Sequence, residues 1–191
     1  VGNALEVYEC LKILRGEGEP EMATTLELSV ELTASMLVQC KVERTTENGK
    51  RKIQEALSSG KALELFKQNI ELQGGDPRIC DEPELLLTRG LKRVEVKAAA
   101  AGYVGAIDTF AVGRAVCDIG GGRVKAEDGV DHAVGYECIR KVGDKVRAGD
   151  ALGIIHCRKR SHADAISEKL RVAYKITKEI PKTTKLIRAT V

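Results

Sequence analysis

The hydrophobic pattern changes its period once along the chain, and that change limits the fold more than any other feature. Up to about residue 75 the apolar residues recur every three or four positions, as one face of a helix requires. Ala4, Val7, Tyr8, Leu11 and Leu14 form the first such series, and Arg15-Gly16-Glu17-Gly18 ends it. Met22, Leu26, Val30, Thr33, Ala34 and Leu37 form a second, Ile53, Ala56 and Leu57 a third, and Leu63, Phe66 and Ile70 a fourth. Gly60 and Gly74-Gly75 stand where the last two should stop. After Asp81-Glu82-Pro83-Glu84, which reads as a linker, short apolar runs alternate with glycine: Val94 and Val96, then Tyr103 to Ile107, with Gly113, Gly120 to Gly122, Gly129, Gly135, Gly143 and Gly149 between them. That is strand-and-turn spacing. One helix is predicted within it, opened by Ser161 and Asp164 in a capping-box-like arrangement, lined by Ile166, Leu170, Ala173 and Tyr174, and stopped before Pro181. Lys185 to Val191 is predicted to be a closing strand. The expected class is α+β: residues 1–80 helical, residues 81–191 a small antiparallel, barrel-sandwich-like unit with a helix.

A chain of 191 residues is long enough for one domain or two small ones. Its net charge of +3 comes from basic and acidic residues mixed throughout, and with two Phe, four Tyr and no Trp it offers little for bases to stack on. Nucleic-acid binding is therefore not expected. No apolar run approaches the roughly 18 residues of a membrane span, so no membrane partner is expected either. The six cysteines, Cys10, Cys40, Cys80, Cys117, Cys138 and Cys157, include no C-x-x-C pair. Metal knuckles are disfavoured by that spacing, and reduced, mostly buried thiols in a cytoplasmic protein are the expectation. The first residue is Val1, where a native start would show Met.

Lys141 to Leu152 has a Gly-Asp, x-Val, Gly-Asp, x-Leu rhythm that suits a tight hairpin with Val146 and Leu152 facing inward. The segment is similar to a hairpin of biotinyl and lipoyl carrier domains, but neither M-K-M nor D-K-A occurs in the chain. A carrier role is set aside.

Two further groups of residues point to a family. Val1-Gly2-Asn3-Ala4-Leu5-Glu6-Val7-Tyr8-Glu9, followed by Leu14-Arg15-Gly16-Glu17-Gly18, resembles the V-G-N-A-L-E-V-x-E and L-x-G-x-G pattern of thymidine and pyrimidine-nucleoside phosphorylases. Gly120-Gly121-Gly122-Arg123, Asp131-His132-Ala133-Val134-Gly135, Val142-Gly143-Asp144 and Ile155-His156 follow the same family's C-terminal domain in order and spacing. In that family the V-G-N-A-L-E-V segment lies past the middle of the polypeptide. The resemblance implies the C-terminal part of such an enzyme: the last helices of its α/β domain and its C-terminal α+β domain. The phosphate-binding K-H-S-x-G-G stretch and the Arg, Ser and Lys that hold the base are then expected before Val1, and no catalytic residue within this chain.

The implied activity is reversible phosphorolysis of a pyrimidine nucleoside, with phosphate as co-substrate, in a cytoplasmic homodimer. The implied site residues are few. Glu9 would be one ligand of a monovalent cation, potassium, which like other hard ions prefers oxygen donors. Gly120, Gly121, Gly122 and Arg123 would form a loop that closes over the phosphate, its amides and guanidinium adding anion affinity. On periodicity alone Glu9 is a solvated carboxylate and the glycine run a plain turn. His132, His156 and His162 are dispersed with no acid or nucleophile at a telling spacing, so structural or surface roles are expected of them, and Arg158-Lys159-Arg160 reads as a solvated turn. The competing class is a non-enzymatic module, helical and β-rich, that binds a partner.

Overall fold

The computed structural model describes residues 1–87, 90–182 and 185–187. They form two compact units, one of residues 1–7 with 86–87 and 90–182, the other of residues 8–85 with 185–187.

The helical unit follows the expected order. Helix α1 (Asn3–Leu14) begins in the other unit and ends in this one, where Leu11 is buried. A 3-10 turn at Pro20–Met22 leads into α2 (Ala23–Gln39), followed by α3 (Thr46–Ser58) and α4 (Lys61–Leu72). Thr45 caps α3, its hydroxyl accepting from the Asn48 amide at 3.2 Å. Gly60, at φ +75°, turns the chain into α4. The two longest of these helices touch backbone to backbone. Ala34 of α2 is fully buried, and a Cβ on Gly49 of α3 would stand 3.1 Å from its Cα and Cβ. After α4 the linker curls into 3-10 turns at Pro77–Cys80 and Pro83–Leu86, and the Arg15 guanidinium donates to the Cys80 and Asp81 carbonyls at 2.9 and 2.8 Å.

The β-rich unit holds two three-stranded antiparallel sheets. Strands β1 (Lys92–Lys97), β2 (Gly102–Ile107), β3 (Gly135–Cys138), β4 (Lys145–Val146), β5 (Ala151–Cys157) and β6 (Tyr174–Thr177) are arranged β1-β5-β3 and β4-β2-β6. In the first sheet Ile155 lies opposite Val94 on one side and Tyr136 on the other. Helices α5 (Thr109–Asp118) and α6 (Arg160–Ala173) bury Val112, Ala115 and Val116, and Ala163, Ile166, Leu170 and Ala173, in one core with Val94, Val96, Val104, Val146, Leu152 and Ile155. Val1 and Gly2 lie along the outer edge of β3: the Val1 nitrogen donates to the Tyr136 carbonyl at 2.8 Å, and the Tyr136 amide to the Val1 carbonyl at 2.7 Å. Among the described residues no helix is long and apolar enough to cross a membrane.

Several expectations need correction. Gly113 is not a turn residue: it lies inside α5, capped by the Asp108 carboxylate on the Ala111 amide at 2.9 Å. Ser161 and Asp164 make no capping box, since Lys159 holds the cap position without a side-chain bond and Asp164 instead meets Arg160 at 3.3 Å. Tyr174 leaves the helix to begin β6, opposite Ile107. The strand expected over 185–191 has residues 185–187 outside any strand, and its other four positions fall outside the described residues. Val146 and Leu152 are buried as expected, but β4 and β5 belong to different sheets, so the segment is a crossover and not a hairpin ladder. Of the cysteines only Cys80 and Cys157 are buried, while Cys10 and Cys40 are exposed.

Candidate functional site

The Gly120–Arg123 segment is first of all the end of a helix. Gly120 adopts φ +93°, its amide donates to the Cys117 carbonyl at 2.9 Å, and the Gly121 amide reaches back to the Val116 carbonyl at 3.0 Å. These are the two bonds of a Schellman cap, which satisfy carbonyls that α5 would otherwise leave open. Gly121 and Gly122 are glycines for close packing: a Cβ would stand 2.5 Å from Val116 Cγ1 in one case and 2.6 Å from Cys117 Sγ in the other. Two of the three glycine amides are thus committed to the helix and face no ligand.

Beyond the glycines the loop is held by two aspartates: Asp128, which the sequence reading passed over, and Asp131, which it named only as part of the family pattern. Asp128 accepts from the Val124 and Lys125 amides at 3.1 and 2.8 Å, and its carbonyl accepts from Arg123 Nε at 3.2 Å. Asp131 donates its amide to the Gly120 carbonyl at 2.8 Å, and its carboxylate accepts from the Ala133 amide at 3.1 Å and from Arg158 at 2.7 and 2.9 Å. The Arg158 guanidinium holds the Asp131 carboxyl below the usual carboxylate range. The signal was available in Asp128-Gly129, a turn dipeptide, and in an acid three residues beyond Asp128. Among the described residues Arg123 forms no ion pair, so of the four expected loop residues it and the Gly122 amide are the groups left to meet an anion.

Glu9 lies in α1 half-exposed, and its Oε1 accepts from the Thr25 hydroxyl of α2 at 3.0 Å. No group of three His, Cys, Asp or Glu suited to a metal occurs among the described residues. Hard cations take about six or more oxygens. One carboxylate and one hydroxyl do not fit such an ion by themselves.

The histidines behave differently from one another. His156 is 5% exposed and sits 3.1 Å from Glu137, whose carboxyl it pulls down together with the more distant Arg93. The His132 carbonyl accepts from the Ala4 amide at 3.0 Å. His162 Nδ1 and Arg140 Nε are buried without a partner among the described residues. In the Arg158-Lys159-Arg160 run two of the three cations are paired, with Asp131 and Asp164.

Together these features define an α+β module whose conspicuous residues build helix caps, turns and sheet edges. Residues 103–177 match the family model described as pyrimidine nucleoside phosphorylase C-terminal domain. The chain is 36% identical over 184 residues to the thymidine phosphorylase of Burkholderia cenocepacia, covering 95% of this chain and 42% of that protein. With the pyrimidine-nucleoside phosphorylase of Staphylococcus aureus it shares 36% identity over 168 residues, 88% of this chain and 38% of the relative. By sequence it corresponds to the C-terminal portion of the thymidine and pyrimidine-nucleoside phosphorylases, and spans about two fifths of the length of these curated relatives.

Proposed function

We propose that this chain serves as the C-terminal portion of a pyrimidine-nucleoside phosphorylase, a pentosyltransferase. The reaction is reversible: phosphate attacks the anomeric carbon of a pyrimidine nucleoside as the bond to the base breaks, giving free base and pentose 1-phosphate. The observation that carries this reading is the identity maintained over 95% of the chain with a thymidine phosphorylase. Positive charge builds on the sugar in such a step, so catalysis rests on bringing two bound reactants together and keeping water out.

In this scheme residues 1–80 belong to the end of the α/β domain and residues 81–191 to the C-terminal domain. The catalytic and base-holding groups lie in the polypeptide that precedes this portion in the relatives. Arg123 approaches the phosphate when the enzyme closes, with the Gly122 amide beside it, while Gly120 and Gly121 keep the loop's root rigid. Glu9 contributes one oxygen to a potassium site only in company with donors from outside this chain. The enzyme works as a cytoplasmic homodimer.

Thymidine and uridine phosphorolysis, followed by ultraviolet absorbance, tests the reading. The 191-residue chain alone is expected to show no turnover, and a chain joined to the preceding portion of a relative is expected to show it. A silent joined enzyme would overturn the assignment. In that enzyme Glu9→Gln is expected to raise the potassium concentration needed for half-activity, and an unchanged titration would remove Glu9 from the site.

A further inference from the structure

Asp128 is half-buried in a loop whose other residues from Arg123 to Gly129 are exposed. Its amide, carboxylate and carbonyl are all engaged within that loop. The amide donates to the Lys125 carbonyl at 3.1 Å, Oδ2 accepts from the Val124 and Lys125 amides at 3.1 and 2.8 Å, and the carbonyl accepts from Arg123 Nε at 3.2 Å. The first three bonds close a turn on their own. The fourth adds nothing to that turn, but it fixes a guanidinium by one edge.

The way Arg123 is held differs from the other cations of the β-rich unit. Arg158, Arg160, Lys169 and Arg171 each meet a carboxylate, Asp131, Asp164, Asp118 and Glu168 respectively. Arg123 also has a carboxylate in its own turn, yet that group is engaged by two amides, and a neutral carbonyl takes Nε instead. The cation is oriented without being neutralised. With Nε occupied, the two terminal nitrogens remain as a fork, the geometry that meets two oxygens of one phosphate or carboxylate. A side chain held in this way also loses less rotamer freedom when its ligand arrives.

We propose that Asp128 is a positioning residue for the phosphate of the reaction: the turn closed by its carboxylate aims its carbonyl at Arg123, and the guanidinium so fixed takes two phosphate oxygens with its terminal nitrogens. This inference rests on the family reading above and deepens it. Asp128 itself touches no substrate. It acts through Arg123, and it does so by shape: a single oxygen, Oδ2, accepts both amides, so the turn needs an acceptor at that position and not a charge.

The bond is read first, by nitrogen-15 NMR on the 191-residue chain. The Arg123 Nε–H, identified by its loss in Arg123→Lys, is expected to exchange with water more slowly than that of the exposed Arg147. Asp128→Ala should remove the protection, and Asp128→Asn, whose side-chain oxygen accepts the same two amides, should keep it. Phosphorolysis by the joined enzyme then reads the role. Asp128→Ala is expected to raise the KM for phosphate about three- to tenfold, the worth of one long side chain's freedom, with smaller changes in kcat and in the KM for nucleoside. Asp128→Asn should restore the phosphate KM, and Glu127→Ala, at an exposed neighbour, should alter none of the three. A turn that merely stabilised the loop would move kcat and both KM values together or not at all. An unprotected Nε–H in wild type, an unchanged phosphate KM in Asp128→Ala, or an Asp128→Asn enzyme as impaired as Asp128→Ala would each overturn the proposal. A joined wild type that is silent while its Arg123 Nε–H is protected brings down the family reading, and the phosphate role with it, and is told apart from the other failures by the intact turn.

Discussion

Asp131 takes both arms of the Arg158 guanidinium, Nε at 2.7 Å and Nη2 at 2.9 Å, and so ties the loop after α5 to the chain leaving β5. Because the Asp131 carboxyl is held below its ordinary value, the bond contributes stability above about pH 4, the usual carboxylate range, and loses it as pH falls through the lowered value. Asp131→Asn is therefore expected to lower urea stability at pH 7 and to show a smaller further loss between pH 7 and pH 3 than wild type. Parallel acid branches for the two proteins would contradict this.

The cap and the candidate anion contact in the glycine loop separate by substitution. Gly120→Ala forces a Cβ into the left-handed region at φ +93°, which costs about 1–2 kcal/mol, and urea denaturation of the chain should register it. Arg123→Ala should leave that stability nearly unchanged and, in the joined enzyme, raise the KM for phosphate several-fold with a smaller effect on the KM for nucleoside. Equal changes in both KM values would argue against a phosphate contact.

Gly49 allows α2 and α3 to touch, with the added Cβ at 3.1 Å from Ala34 Cα. Gly49→Val overfills that contact and is expected to destabilise the helical unit by about 1–3 kcal/mol, in spite of a better side chain for burial. Loss of helical ellipticity at lower temperature than wild type is the readout.

Tyr136 and Tyr174 meet through their hydroxyls at 3.4 Å inside the β-rich core, and burial pushes both phenols well up. A raised value means that stability is complete below the ordinary phenol range near pH 10 and declines above it. The phenolate absorbance of these two rings is expected to appear only as the unit unfolds in alkali. Tyr136→Phe should shrink that step, and an unaltered step would show that Tyr136 ionises in the folded state.

The four helices of the first half were legible because their apolar residues repeat at one period and Gly60 and Gly74 mark real stops. In the second half glycine misled. Val112, Ala115, Val116 and Ile119 carry a clear helical spacing, but Gly113 sat among the turn markers, and the structure tolerates it because its missing side chain would enter open space. β6 was hidden for the opposite reason: Tyr174 begins it without any turn residue after α6. The Lys141–Leu152 rhythm, read as a tight hairpin, belongs instead to two corners built alike. In each, an aspartate carboxylate accepts from an amide three residues back, Asp144 from Lys141 at 2.9 Å and Asp150 from Arg147 at 2.8 Å. Which strands those corners join depends on partners far along the chain, and local spacing does not carry that information. The same limit applied to the candidate site, where the glycine run was visible but the aspartates closing it, Asp128 and Asp131, gain meaning only once the loop is folded back on Gly120.

The pairing of Val1 and Gly2 with β3 means that the β-rich unit is not a cassette. Its sheet is closed by residues that precede the whole helical unit in sequence, so a polypeptide cut to begin at Leu86 would carry the outer edge of β3 bare, an invitation to pair with another copy. Any transplant of this unit between proteins has to carry the start of α1 with it, and the two units, distinct as folded bodies, are inseparable as lengths of chain.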